Sequence, residues 1–345
     1  MLIAILKNEN PDSHLKWQTA CELFGVNFVV VDILRADFIE YLQKLKPTFC
    51  LAQPPGMVLL YKRMFDERIF AIEKYLGLKV FPAYHEIVIH ENKNALAYFL
   101  DSNNIPHPRT MVFYSQQDAL DYIQNAQLPL VAKTTIGAAG SGVKVLTSRD
   151  QALNYVQVAF TKGIARRFGP NKKTGSPKSW LIKAIKSPKY FFAKLKEYKS
   201  RAKDLQYGYI IIQEYIEHDY EWRCVKIGES FFAYKKLKIG DKASGSKQFE
   251  YGEPPLELLD FARNLCQKYN FNFMAVDLFY VNGNIYVNEL QTIFGHKNPF
   301  ICKVNGETGR YLYRNDKWIF ESGDFNMNES YNLRLSYILS LYNAK

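Results

Sequence analysis

Short apolar runs alternate with helical patterns at the amino-terminal end of this chain. The runs at residues 2–6, 27–33 and 48–52 are rich in β-branched and aromatic residues, which is typical of buried strands. The segments between them carry apolar residues at helical spacing. Because strands that alternate with helices along a chain form parallel sheets, this region predicts a small parallel α/β domain.

The remainder of the chain predicts antiparallel strands with a few helices, which is an α+β pattern. We expect a domain boundary near residues 85–110 and three units, at 1–90, 91–205 and 206–345. The predicted strands are 78–81, 128–133, 143–146, 208–213, 222–227, 230–238, 271–281 and 285–291, and the predicted helices are 93–102, 116–125, 149–160 and 255–269.

Composition excludes several classes of protein. The 345 residues are 48% hydrophobic and include 24 Phe and 24 Tyr, so the chain can bury a large core and is not disordered. The five cysteines lie far apart, which excludes a CxxC pair and a zinc cluster and favours reduced thiols. Without a secretory signal or an apolar run of about 18 residues, the chain is predicted to be cytoplasmic.

The positive charge of the chain is concentrated in one segment. Residues 162–203 contain 14 Lys or Arg and one acid, Glu197, a formal charge of +13 that leaves −2 for the remainder of the total of +11. Cations interleaved with aromatic residues favour an amphipathic element on an anionic membrane surface, a clamp for a polyanionic acceptor, or a solvated insertion. Nucleic acid is the weaker interpretation, because no RNA- or DNA-binding module accompanies the run.

A glycine-rich loop follows an apolar strand that ends in Lys133. Glycines at 137, 140 and 142 let backbone N–H groups approach a phosphate, and the lysine adds a point charge. The loop leads to a strand, so it is neither a Walker loop nor a dinucleotide fingerprint, both of which need a helix N-terminus. An ordinary hairpin turn is the alternative.

A second motif lies where a buried strand at 209–212 runs into residues 213–216. An adenine ring needs an apolar sandwich beside a backbone donor and acceptor, and a linker leaving a buried strand offers both. Asp219 or Glu221 just downstream are candidates for ribose hydroxyls. The alternative is a strand followed by a solvated acidic turn.

Oxygen-bearing side chains interrupt two apolar strands near residue 280. Asp277 lies on the first strand, and Glu289 and Gln291 share one face of the second because they are two residues apart. One or two carboxylates together with substrate phosphates are the ligands that Mg²⁺ prefers. These residues therefore predict a magnesium site.

The register of this hairpin decides whether the two carboxylates meet. With a two-residue loop at Asn282 and Gly283, Asp277 faces Asn288, whereas an odd-length loop sets it opposite Glu289. We predict the odd-length loop or an equivalent bulge.

Taken in order, these motifs resemble the ATP-grasp superfamily, and in particular its ribosomal-protein glutamate ligases and D-alanine–D-alanine ligases. The resemblance covers about residues 75–291 and implies an ATP-grasp fold of two α+β lobes, preceded by a small parallel α/β pre-grasp domain. The motifs that carry it are Lys93, Lys133 with its glycine loop, residues 213–216, Arg223, Asp277 and Glu289.

The resemblance also implies roles for individual residues, with ATP and Mg²⁺ or Mn²⁺ as cofactors. By position, the nucleotide-binding residues are Lys93, Lys133, Gly137, Gly140, Ser141, Gly142, Gln213, Glu214, Tyr215, Ile216 and Glu221; the metal ligands are Asp277, Glu289 and Gln291; and the catalytic cations are Arg223 with Lys236 or Lys238.

Two departures from the family pattern affect this interpretation. Where the family usually has Glu-x-Asn, this chain has Glu289 and Gln291, whose amide is one methylene farther from the backbone. Where the family has Asp-x-Arg, this chain has Glu221 and Arg223, which keeps the cation. We expect metal binding to be retained with adjusted geometry.

The activity that the resemblance implies is a ligase that joins a carboxylate to an amine through an acyl phosphate. The substrates are small or polymer-linked acids and amines that the sequence does not name. The alternatives are an ATP-grasp phosphotransferase and a non-catalytic nucleotide-binding scaffold or sensor. In the scaffold or sensor alternative, the basic segment 162–203 is a surface-binding element. Whatever the activity, peripheral association of this cytoplasmic protein with the inner membrane surface is left open by the same segment.

Overall fold

The computed structural model of the chain describes residues 1–137, 142–166, 203–239, 248–294 and 298–343, together with residues 195, 199, 242, 243 and 296. Most of the basic segment 162–203 lies outside the described residues, and so do the expectations attached to it.

A parallel sheet forms the amino-terminal part of the molecule. Its strands follow the order β2-β1-β3-β4, and every neighbouring pair is parallel, which confirms the predicted α/β arrangement. The strands are β1 (Leu2–Lys7), β2 (Asn27–Asp32), β3 (Phe49–Ala52) and β4 (Val80–Phe81), and the helices among them are α1 (Leu15–Leu23), α2 (Phe38–Leu45) and α3 (Leu59–Lys74).

Helix α3 has no counterpart in the sequence prediction. Its first backbone N–H, at Leu59, donates to the carboxylate of Asp204, 145 residues away, over 2.9 Å. Its buried face includes Lys62, whose ammonium contacts the carboxylate of Asp66 at 2.5 Å. The charge of Lys62 is thus balanced within the helix by a residue four positions on, whereas the first backbone N–H is capped by a residue that a local pattern does not include.

An antiparallel sheet with the order β5-β8-β6-β7 forms the first lobe. Two helices pack on it, and their buried residues, such as Ile123 and Val156, meet Ile210 and Ile212 of the sheet. The elements of this lobe are α4 (Tyr84–Ile89), α5 (Lys93–Ser102), β5 (Thr110–Phe113), α6 (Gln116–Asn125), β6 (Leu130–Lys133), β7 (Val143–Leu146), α7 (Arg149–Thr161) and β8 (Ile210–Glu214).

A larger antiparallel sheet forms the second lobe, and its main path among the described residues is β14-β13-β9-β10-β16-β15. Short strands β11 and β12 pair with β10, and β17 pairs with β16. The elements are β9 (Tyr220–Ile227), β10 (Ser230–Ile239), β11 (Lys242–Ala243), β12 (Phe249–Glu250), α8 (Leu256–Lys268), β13 (Phe273–Val281), β14 (Asn284–Gln291), β15 (Lys303–Val304), β16 (Glu307–Arg314), β17 (Lys317–Ser322), a 3₁₀ turn (Met327–Ser330) and α9 (Tyr331–Asn343).

The β13–β14 hairpin contains a bulge that sets the register of the carboxylates. Asn282 and Gly283 form a two-residue turn with φ of 52° and 75°, which is the left-handed backbone that such a turn needs. The pairing then shifts by one residue beside Asp277, so that Asp277 lies opposite Glu289 and Asn288 is the extra residue. The bulge, predicted as the equivalent of an odd-length loop, is confirmed, whereas the loop itself has two residues.

One continuous core joins the amino-terminal sheet to the second lobe. The carboxy-terminal helix α9 contributes Tyr331, whose ring lies 4.7 Å from that of Trp17, and Tyr342, whose ring lies 4.8 Å from that of Phe49. Helix α9 therefore fixes the amino-terminal sheet beside the second lobe. None of the described helices has the length and apolarity that a bilayer-crossing segment needs.

The two ends of the basic segment meet at the surface of the first lobe. Arg166 pairs with Asp204 at 2.6 Å and also donates to the carbonyl of Met57 at 2.6 Å. Just inside this pair, the backbones of Ile164 and Gln206 bridge to each other. The residues that flank most of the basic segment therefore lie side by side.

Candidate active site

Four charged side chains of the second-lobe sheet form a buried cluster. Arg223 lies opposite Asp277 in the β9–β13 pairing and donates to both of its oxygens, at 2.6 and 2.7 Å. Lys236 on β10 donates to Asp277 at 2.6 Å and to Glu221 at 2.7 Å. Two acids and two cations thus balance each other, which is what burial of charge requires.

The charges in this cluster perturb one another strongly. Asp277 is completely buried, and burial alone would raise its pKa, but Arg223 and Lys236 outweigh burial and lower the pKa to about 2. Burial likewise opposes the charged form of Lys236, yet Asp277 and Glu221 raise its pKa. Asp277, Lys236 and Arg223, whose pKa is likewise raised, are therefore charged at neutral pH.

Of the two lysines proposed for β10, only Lys236 joins the cluster. Lys238 donates instead to the hydroxyl of Tyr215 at 3.0 Å and approaches Glu217, an exposed residue, at 3.4 Å. Residues two apart on a strand share a face, so the two lysines lie on the same face of β10, with Lys236 the more deeply buried.

Lys133 of the first lobe is connected to this cluster through Asn288. Its ammonium, at the end of β6, donates to the side-chain oxygen of Asn288 at 3.0 Å, and the amide nitrogen of Asn288 donates to Glu221 at 3.1 Å. Burial and the nearby charge of Lys93 lower the pKa of Lys133 to about 8. Sequence reasoning missed Asn288, which reaches the site because it is the extra residue of the bulge.

Lys93 begins helix α5, and its backbone N–H donates to the carbonyl of Thr135 at 3.1 Å. Its buried ammonium lies 3.5 Å from Glu289 and has no hydrogen-bond partner among the described residues. Burial opposes its charge, but Glu289 and Glu91 outweigh it and raise the pKa of Lys93. An anion could complete the coordination of this ammonium.

The glycine-rich loop joins two antiparallel strands, β6 and β7, as the sequence predicted. A Cβ atom on Gly142 would lie 1.7 Å from the hydroxyl oxygen of Thr134, so only glycine fits there. Thr134 N–H also donates to the carbonyl of Gly142 at 2.8 Å. Gly140 and Ser141 lie outside the described residues.

The proposed adenine-binding stretch lies on and beyond β8, apart from the charged cluster. Gln213 is buried and donates to the hydroxyl of Thr110 at 2.8 Å, whereas Glu214 is exposed. Tyr215 and Ile216 are half-buried. Glu221, the predicted ribose-binding acid, is buried and accepts from Lys236 at 2.7 Å and from Asn288 at 3.1 Å.

Gln291 lies between Arg223 and a residue that sequence reasoning missed, Glu91. Its oxygen accepts from Arg223 at 3.1 Å, and its nitrogen donates to Glu91 at 3.3 Å. The other carboxylate oxygen of Glu91 accepts from the backbone N–H of Gly137 at 3.2 Å. Burial raises the pKa of Glu91, although Lys93 opposes this effect. An acid two residues before Lys93 in the sequence was the signal available.

The donor set fits a magnesium ion that also binds substrate phosphates. Asp277 and Glu289 lie opposite each other, and Gln291 adds a carboxamide oxygen. No group of three or more His, Cys, Asp or Glu side chains in the described ranges is placed to hold a metal unaided. Two carboxylates with a carboxamide are the incomplete protein set that Mg²⁺ commonly takes.

Solved structures of known proteins share this architecture. A RimK-domain ATP-grasp protein from Sphaerobacter thermophilus is 15% identical and superposes with a TM-score of 0.53, covering 84% of this chain and 90% of that one. The D-alanine–D-alanine ligase of Bacillus anthracis is also 15% identical, with a TM-score of 0.53 over 99% of this chain and 96% of that one. An ADP complex of N5-carboxyaminoimidazole ribonucleotide synthetase is 13% identical, with a TM-score of 0.54 over 86% and 71%.

The chain has the ATP-grasp fold. In this fold the parallel sheet β1–β4 fits a pre-grasp domain, and the two antiparallel sheets are the lobes, as the sequence predicted. No protein-family model and no curated protein matches the sequence.

Proposed function

We propose that this ATP-grasp protein is an ATP- and Mg²⁺-dependent ligase that joins a carboxylate to an amine. The observation that carries the proposal is that two lysines of the first lobe reach the hairpin of the predicted metal ligands: Lys93 lies 3.5 Å from Glu289, and Lys133 donates to Asn288 at 3.0 Å. Lysines that lie close to carboxylates suit a nucleoside triphosphate that is bound together with a divalent metal ion.

The two sets of residues divide the work of binding. Lys93, Lys133 and the glycine-rich loop hold the phosphates, while Asp277, Glu289 and Gln291 hold Mg²⁺ or Mn²⁺. When bound, the metal ion polarises the phosphoryl oxygens and neutralises their charge. The buried pairs with Arg223 and Lys236 keep Asp277 charged and fixed in position.

The chemistry proceeds in two displacements. An oxygen of the carboxylate substrate attacks the γ-phosphorus of ATP, and the bond to ADP breaks with its electron pair. The amine nitrogen then attacks the acyl carbon, and phosphate leaves with the electron pair of the C–O bond while the nitrogen gives up a proton. Lys133 neutralises charge on the transferred phosphoryl group.

The scheme needs no nucleophilic side chain, and the cysteines agree with this. All five thiols are free and buried, and burial raises the pKa of Cys50 and Cys266 to about 12. A thiol with so high a pKa is unreactive at neutral pH.

A cavity of about 250 Å³ offers room for a small substrate. It lies where β1 and β3 end and is lined in part by Glu9, Lys16 and Gly56. Lys16 is paired with Glu329, but an oxygen of Glu9 is buried without a partner among the described residues. An unneutralised carboxylate favours a substrate amine, and Gly56 places the cavity against Glu91.

The basic segment 162–203 adds a candidate contact for a second macromolecule. Its formal charge of +13 supports a polyanionic acceptor or an anionic membrane surface as its partner.

Isotope transfer distinguishes the ligase from its rivals. The protein is incubated with ATP, Mg²⁺ and a panel of ¹⁸O-labelled carboxylic acids, each with and without a panel of amines, and the released phosphate is analysed by mass spectrometry. A ligase releases ADP and ¹⁸O-containing phosphate only when both partners are present. A phosphotransferase forms ADP and a stable phosphorylated product without an amine, and a sensor binds ATP without turnover; either result contradicts the proposal.

A further inference from the structure

Glu91 occupies a backbone position that is unfavourable for glutamate. It is the single residue between the C-cap of α4, His90, and the N-cap of α5, Asn92, and its φ is 49°. A left-handed conformation costs about 1–2 kcal/mol for a residue with a Cβ, and glycine or asparagine usually fills it. Burial of its carboxylate adds a desolvation cost.

Contacts of the carboxylate offset these costs. One oxygen accepts from Gly137 N–H at 3.2 Å, and the other accepts from the Gln291 side chain at 3.3 Å, 200 residues away. The backbone of Gly56 confines the side chain, because a Cβ there would lie 3.0 Å from the Cγ of Glu91. Glu91 therefore ties the glycine-rich loop to the strand that carries the metal ligands.

The neighbours of Gln291 determine which way its amide points. The guanidinium of Arg223 can only donate, so the atom that faces it at 3.1 Å is the carbonyl oxygen. The amide nitrogen then faces Glu91, where a carboxylate oxygen accepts from it. Without Glu91, nothing among the described contacts of Gln291 would hold the nitrogen end.

We propose that Glu91 is a positioning residue that fixes the carboxamide of Gln291 with its oxygen on the side of Asp277. In this way the chain can use glutamine where related proteins use asparagine as the last metal ligand. A side chain one methylene shorter would withdraw the amide from Glu91. The inference rests on the proposed function, because it requires a metal ion at Asp277, Glu289 and Gln291.

A double-mutant cycle tests the inference with Mn²⁺ as the probe. The dissociation constant of Mn²⁺ is measured by electron paramagnetic resonance, in the presence of a non-hydrolysable ATP analogue, for the full-length wild type, Glu91→Gln, Gln291→Asn and the double variant. A carboxylate accepts at both ends, whereas a carboxamide accepts at one end only. Glu91→Gln should therefore weaken Mn²⁺ binding about tenfold, the lower range for loss of an outer-sphere partner.

In the Gln291→Asn background the same exchange should change Mn²⁺ binding less than twofold, because the contact is already absent. Equal weakening in both backgrounds would show that Glu91 acts through its charge alone and would overturn the inference. No weakening in either background overturns it as well. If the wild type binds the ATP analogue but no Mn²⁺, the metal site and hence the proposed function fail instead.

Two further variants separate position from charge and from folding. Glu91→Asp keeps the charge but shortens the side chain, so it should weaken Mn²⁺ binding as Glu91→Gln does; unchanged binding contradicts the inference. Glu86 is the matched control, since it is equally buried but accepts from the backbone N–H groups of Asn272 and Phe273. Glu86→Gln should lower the melting temperature without changing the Mn²⁺ dissociation constant.

Discussion

The two halves of the candidate active site balance their charges in different ways. In the second lobe, Arg223 and Lys236 contact Asp277 at 2.6–2.7 Å, so the cluster is neutral without a ligand. In the first lobe, the hydrogen-bond partner of Lys133 among the described residues is the neutral Asn288, at 3.0 Å, and Lys93 stays 3.5 Å from Glu289.

This difference separates stability from binding. A buried cluster that is neutral by itself holds the fold together, and removing one member leaves an uncompensated charge. Buried lysines with long or neutral contacts are available to an anion, and a bound phosphate would complete their coordination. Changes in the second lobe should therefore affect folding and turnover together, and changes in the first lobe should affect turnover alone.

The largest effect is expected from Asp277→Asn, which breaks the neutral half. Arg223 and Lys236 would be left buried with Glu221 as their one remaining acid in the cluster, and breaking a buried pair costs about 3–5 kcal/mol. The free energy of unfolding, from urea denaturation, should fall by that amount, and ATP turnover should disappear. Glu40→Gln, at an exposed helix pair with Lys44, is the control and should change neither quantity. If the free energy of unfolding of Asp277→Asn is unchanged, the two halves of the site do not differ in their contribution to stability.

Lys133→Met addresses the other half of the site. The uncharged side chain keeps the apolar stem of lysine and loses one hydrogen bond, so the melting temperature should change little. Phosphate release should fall about 10²–10³-fold, the usual loss when a cation that stabilises transferred charge is removed. A drop in melting temperature as large as that of Asp277→Asn would contradict the expectation that the first-lobe lysines act in binding and not in stability.

The smallest expected effect is on the pH dependence of ATP binding. Burial and Lys93 lower the pKa of Lys133 to about 8, and ATP binds the charged form. As pH rises from about 7 to 9, Lys133 loses its proton and the affinity for ATP, measured by calorimetry, should fall about tenfold. Lys133→Arg stays charged over this range, so its affinity should remain level. A parallel fall in both proteins would assign the titration to another group.

The sequence predicted helices well where their start signals are local. Helices α5 and α6 were predicted with the bounds that the structure shows, and the side chains of Asn92 and Ser115 cap them. Helix α3 was missed because its first N–H is capped by Asp204, which lies 145 residues away in the sequence. A pattern within a short window contains no trace of such a contact.

The same limit applies to the site: features set by residues close in the sequence were predicted, and contacts between distant residues were not. Strand spacing placed Glu289 and Gln291 on one face, but the meeting of Asp277 with Glu289 depends on a bulge whose position the sequence does not mark. Asn288 and Glu91 were missed because their partners, Lys133 and Gln291, lie 155 and 200 residues away. Side chains that join lobes become visible only in three dimensions.

The ion pair of Arg166 with Asp204 has a consequence for how this protein can change in evolution. The pair and the bridge between Ile164 and Gln206 hold the two flanks of the segment together. For any flexible connection between fixed ends, doubling its length adds only about 0.6 kcal/mol to the cost of closure. The same closure fixes Gln206, which accepts from the backbone of Thr135, so that loop keeps its place. The number and the charge of the residues between positions 166 and 204 can therefore change during evolution while the rest of the protein stays the same.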